Sequence, residues 1–171
     1  MNGRVVGWTL CLLGCAALAV AQTKVSGTGK CGKADTQQAV EVGDRAGHVL
    51  VVAKNTCTWT TPLEVEGVKG KSYTAAVTSD ASGTKGNDRG YVVVTMENGD
   101  KTFVRVQGTS TMTKEGAMES GEGTWSYTGG TGKFRGITGK GTYKSKATGD
   151  GGVEDQVEGE YSMPAPKAPK K

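Results

Sequence analysis

The sequence predicts an all-β protein: a single antiparallel β-barrel of about eight strands, preceded by a signal peptide. Three observations predict it. Runs rich in Val, Thr, Tyr and Trp recur along the chain, each bounded by Gly, Asp, Asn or Lys clusters. After residue 21 no stretch keeps apolar residues at i, i+3, i+4 and i+7 for three turns, so any helix is short. The 28 glycines are scattered among these runs without a Gly-X-Y period, which excludes a collagen-like chain and points to many turns. Strands with no helix to cover them leave exposed edges, and closure into a barrel removes those edges.

The elements follow in chain order. Met1 to Arg4 is short and basic, and an apolar run continues from Val5 to Ala21. It ends in Ala19-Val20-Ala21 before Gln22, which completes the three parts of a secretory signal peptide over residues 1–21, with cleavage between Ala21 and Gln22. A retained membrane anchor is the alternative, but the run is at the lower limit for spanning a bilayer and no basic flank follows. A second alternative is a lipid on Cys15, since Leu12-Leu13-Gly14-Cys15 resembles a lipoprotein box. The small-residue site is the better-formed signal. The chain is therefore expected to be exported, periplasmic or secreted, with no membrane span after cleavage.

Residues 22–36 are polar and glycine-rich and read as a flexible N-terminal arm. The barrel domain is expected over 37–163, with strands at 38–42, 48–54, 57–61, 72–79, 90–97, 101–112, 123–128, 139–146 and 157–163. Residues 164–171 hold Pro164, Pro166 and Pro169 among lysines and read as a disordered basic tail.

Asn98-Gly99 sits between two of these strands and suits a two-residue type I′ turn. That turn would set Val94 opposite Phe103 and Val92 opposite Arg105. Tyr91, Val93, Val104 and Val106 would then share one face. The other would hold Val92, Val94, Met96, Phe103, Lys101 and Arg105. Both faces are substantially apolar, so the hairpin is expected to be covered on both sides or to line a lumen on one. Arg105 is the candidate ligand-binding residue. Facing inward it would suit a carboxylate ligand, and facing outward it is an ordinary surface cation.

Gly123-Thr124-Trp125, Gly141-Thr142-Tyr143 and Gly159-Glu160-Tyr161 form a weak repeat of successive strands. The glycine of each would allow a bend, and the aromatic would fill the space inside it. Once the signal is removed, Cys31 and Cys57 are the remaining cysteines, and in an exported chain two thiols suggest a disulfide. Two unpaired buried thiols are the alternative.

Few site chemistries are supplied. His48 is the only histidine, which rules out a multi-histidine metal site, and it begins a strand with no nucleophile elbow nearby. Asp150, Glu154 and Asp155 lack the calcium-loop pattern and read as an acidic hairpin loop. The glycine-rich run at 129–141 fails as a phosphate loop, because the flanking positions hold Tyr127 and Phe134 and no helix follows. No catalytic residue, metal or cofactor is assigned. With 21 basic and 17 acidic residues the charge is mixed, and nothing demands a nucleic-acid partner.

Gly129-Gly130-Thr131-Gly132-Lys133-Phe134-Arg135 resembles the GGTGxFR segment of plant dirigent proteins. The continuation from Gly136-Ile137 through Gly139 to Gly141-Thr142-Tyr143 looks like small bacterial exported barrels. The resemblance is to the allene oxide cyclase and dirigent-like barrel superfamily. It is specific in this stretch and general over the other strands. It implies an eight-stranded antiparallel barrel with an apolar cavity, which in plants binds an oxidised fatty acid or orients phenoxy radicals. Gly129, Gly130, Gly132, Phe134, Gly136, Gly139 and Gly141 would then be a structural turn, with Phe134 tucked against the barrel. No catalytic residue carries over. The expected function is a non-catalytic exported barrel binding a small apolar or amphipathic ligand in its lumen. Its rivals are an isomerase or cyclase acting in that cavity and an envelope-associated surface-binding protein.

Overall fold

The computed structural model describes residues 22–165. The expected signal peptide with its Ala21 cleavage site, the Cys15 alternative and tail residues 166–171 lie outside the described residues. The strands are β1 (Thr23–Cys31), β2 (Thr36–Glu41), β3 (His48–Thr61), β4 (Glu64–Val65), β5 (Val68–Ser82), β6 (Lys85–Met96), β7 (Lys101–Met112), β8 (Met118–Gly130), β9 (Thr138–Ala147) and β10 (Val153–Ser162). Eight of them close an antiparallel ring in the order β1, β10, β9, β8, β7, β6, β5, β3 and back to β1. β2 extends β3 where β1 has ended, and β4 is a short partner of β5.

The N-terminal arm is corrected. Thr23–Cys31 is a strand of the ring, bonded to β10 on one side and β3 on the other. Its composition misleads because Gly27 and Gly29 occupy inward positions that large rings cover. A Cβ on Gly29 would lie 2.3 Å from the Tyr73 hydroxyl, and one on Gly27 would lie 3.0 Å from the Trp59 ring. The runs at 48–54 and 57–61 are also one strand, β3, continuous through Asn55 and Thr56.

The β6–β7 register differs from the two-residue turn by one place. Gly99 N–H donates to Met96 O at 3.0 Å and Met96 N–H to Asp100 O at 2.9 Å, so three residues form the loop. Gly99, with φ 85°, takes the left-handed position that closes it. Val94 therefore faces Thr102, Val92 faces Val104 and Tyr91 faces Arg105. A one-residue slip moves every side chain to the opposite face. Val92, Val94, Val104 and Val106 consequently point into the barrel, and Phe103 and Arg105 point away from it.

One end of the barrel is plugged. Phe134, Met96, Val65 and Thr102 are fully buried there. Phe134 arrives on a single 3-10 turn, Gly132–Phe134, between β8 and β9. The turn is held by its own chain: Lys133 N–H donates to Asp100 Oδ2 at 3.0 Å, and Lys133 Nζ donates to Glu66 O at 2.6 Å. Cys31 and Cys57 are disulfide-bonded, joining β1 to β3 at directly facing positions. In the chain-entropy picture a loop of this length adds roughly 3 kcal/mol.

Candidate functional site

The inward positions of the ring alternate with charged outer ones, and above the plug they leave space. Valines supply much of the wall, including Val51, Val77, Val92, Val106 and Val157, with the rings of Trp125 and Tyr127 beside them. Inward glycines such as Gly121 add no side chain. The result is a cavity of about 650 Å³, in the range that holds a small organic molecule. Its mouth lies opposite the plug, where small residues of the turns line it: Gly32, Gly116, Ala117 and Gly149.

Two carboxylates face this apolar space. Asp155 on β10 accepts a hydrogen bond from Tyr73 Oη at 2.8 Å and another from Ser145 Oγ at 2.6 Å. Asp88 on β6 accepts one from Ser110 Oγ at 3.2 Å. Ser79, which faces Asp88 across β5 and β6, has a buried hydroxyl with no hydrogen-bond partner. Burial raises the Tyr143 phenol to about 12, and Asp88 and Asp155 push in the same direction. Tyr73 is pushed up too, by burial first and then by Asp155, and Tyr127 by burial. These phenols stay protonated. Among the described residues no Lys, Arg or His lines the cavity.

The candidates read from sequence fall elsewhere, with one exception. Arg105 is exposed on the outer face, where it shares an open depression with Lys24, Lys140 and Glu158. The inward placement that would meet a carboxylate ligand is not found. His48 opens β3, with Nδ1 against Asp44 and Nε2 2.9 Å from Asp80, so it ties the β2–β3 turn to β5. Of the three acidic residues read as one loop, Asp150 is in the β9–β10 turn and Glu154 faces out. Asp155 is inside. Asp150 is held well below the usual carboxylate range by Thr148, Lys30 and the Gly152 amide. Cys31, Cys57 and Asp155 lie close together, but both sulfurs are in the disulfide and offer no thiolate to a metal.

Asp88 was missed by sequence reasoning, and Asp155 was read as part of an acidic loop instead of as an inward residue of β10. The signal was present in the alternation. Asp155 stands two places from Val153 and from Val157, and Asp88 stands in step with Val92 and Val94.

No family model and no curated protein matches the chain. Among solved structures it is similar to the pterocarpan synthase dirigent protein GePTS1, with a TM-score of 0.53 and 14% identity. The match covers 87% of this chain and 91% of that one. At that identity the likeness is one of fold, a dirigent-like β-barrel.

Proposed function

We propose that this protein is an exported, non-catalytic barrel that holds a small apolar molecule in its lumen. The observation that carries the reading is the valine-walled cavity of about 650 Å³, plugged at one end and bordered by small residues at the other. Export is supported by the sequence of residues 1–21 and by the Cys31–Cys57 bond, which belongs to oxidising compartments. The dirigent-like fold is consistent with a ligand-holding barrel.

The test is a titration with a neutral apolar fluorophore, N-phenyl-1-naphthylamine, against the folded protein. Saturable binding of one probe per chain is expected. Ala75 lines the cavity, and Ala75→Trp should narrow it and weaken binding. No saturable binding to the parent protein would overturn the reading.

Catalysis in the same cavity is a second reading, favoured by the Tyr73–Asp155 pair, which sets a phenol against a carboxylate inside an apolar space. It differs in outcome: an unsaturated epoxide would be turned over, not merely bound.

A further inference from the structure

We propose that the lumen selects a cationic ligand: an apolar molecule carrying a protonated amine, whose charge is met by Asp155 and Asp88. This rests on the reading of the lumen as a binding site and adds the sign of the ligand's charge.

The first argument is an imbalance. Asp88 and Asp155 are half-buried, and a carboxylate partly withdrawn from water gains from a paired cation. Among the described residues the ion pairs join Lys24 to Glu160, Lys30 to Asp150, Arg45 to Asp44, and His48 to Asp44 and Asp80. Asp88 and Asp155 are in none of them, and no basic side chain among the described residues lines the cavity. Charges interact more strongly in such a space than in water, so an incoming cation is stabilised and an incoming anion is repelled.

The second argument is hydrogen-bond capacity. An ionised carboxylate offers about four lone-pair sites. Asp155 uses one on each oxygen, for Ser145 and Tyr73, and Asp88 uses one, for Ser110. The remaining sites are acceptors open to a further donor. An ammonium group is all donor. Beside Asp88 the buried, unpartnered hydroxyl of Ser79 can accept one more of its protons.

The third argument is placement. β10 and β6 lie on opposite sides of the ring, so the two carboxylates stand on facing walls with Val92, Val106 and Val157 around them. Either wall can hold an ammonium while the apolar remainder of the ligand covers the valines. Arg105, which would have favoured a carboxylate ligand from within, is outside.

The experiment compares dodecylamine, dodecanol and dodecanoate as competitors of N-phenyl-1-naphthylamine, each below its micelle-forming concentration at neutral pH. The amine is expected to bind tenfold or more tightly than the alcohol, and the carboxylate more weakly than the alcohol. Asp155→Asn and Asp88→Asn should each lower amine affinity by far more than they change dodecanol affinity, and retained dodecanol binding shows that the lumen is intact. Should a variant not fold, the head-group series on the parent protein decides alone. Equal affinities, a preference for dodecanoate, or an amine preference surviving both substitutions would overturn the proposal while leaving the lumen a binding site. Binding of none of the three would overturn both.

Discussion

The hydroxyl of Tyr73 on β5 donates to the carboxylate of Asp155 on β10 at 2.8 Å, although β3 and β1 separate those strands in the ring. The bond reaches across the interior because the ring of Tyr73 lies over Gly29 of β1, where a side chain would collide with it. It thus braces two non-adjacent walls and orients a carboxylate toward the cavity. Tyr73→Phe keeps the ring and removes the donor, leaving Asp155 with Ser145. Hydrogen bonds to charged groups contribute about 1.5–3 kcal/mol, so the variant should lose stability of that order in denaturant melts. A neutral substitution would show that the bond braces nothing.

The same device recurs in the glycine–aromatic repeat. Trp125 faces Gly141 in register, Gly141 faces Gly159, and the indole lies over both glycines. Its Nε1–H donates to Thr142 O at 3.1 Å and to Glu158 O at 3.2 Å. A Cβ on Gly141 would come within 2.6 Å of the indole and 2.0 Å of Glu158 O. Gly141→Ala should therefore destabilise by about 1–3 kcal/mol, as overpacking does. Unchanged unfolding in urea would mean that the strands part easily there.

This repeat also shows how much was legible. Most strands were visible as Val, Thr and aromatic runs because a pleated, half-buried surface selects those residues. The spacing of the repeat was visible as well, but not that each glycine makes room for a ring carried by another strand. β1 was hidden for the same reason: its inward places at Gly27 and Gly29 carry no side chain to announce a buried face. The β6–β7 register slipped because Asn98-Gly99 reads as a two-residue turn, whereas Glu97 also belongs to the loop. That slip alone decided whether Arg105 could enter the lumen. Asp155 was hidden by adjacency to Asp150 and Glu154 along the chain, which a strand places on different surfaces.

Phe134 and Lys133 are neighbours with opposite expected effects. Phe134 is fully buried in the plug, so Phe134→Ala should remove about 3–5 kcal/mol of stability. Lys133 Nζ makes one exposed hydrogen bond to Glu66 O, so Lys133→Ala should change stability by less than about 1 kcal/mol. Neither should bind inorganic phosphate, because the Asp100 carboxylate already occupies the Lys133 amide. The reverse order of stabilities would contradict the corner geometry.

The environment of His48 raises its pKa, chiefly through Asp44 and then Asp80. The Asp44 carboxyl is correspondingly lowered, mainly by His48. A raised value means that the folded protein holds the histidine proton more tightly than the unfolded chain does. The stabilisation is fully present below the ordinary value of 6.5 and is lost as pH rises through the folded value. The Asp44 contribution runs the other way, being present above its ordinary value of 3.8 and lost as pH falls through the folded one. Melts across about pH 5 to 8 should show stability declining toward the alkaline side, and His48→Gln should flatten that decline. An identical slope in the variant would place its origin elsewhere.

The central claim is that the lumen holds one small molecule. Native mass spectrometry of the protein, purified without detergent and supplied with excess N-phenyl-1-naphthylamine, tests it most directly beside Ala75→Trp. The account predicts one bound small molecule per chain in the parent protein and a smaller bound fraction in the variant. A parent protein that flies only at its bare mass, or a variant that carries the adduct to the same extent, would contradict it.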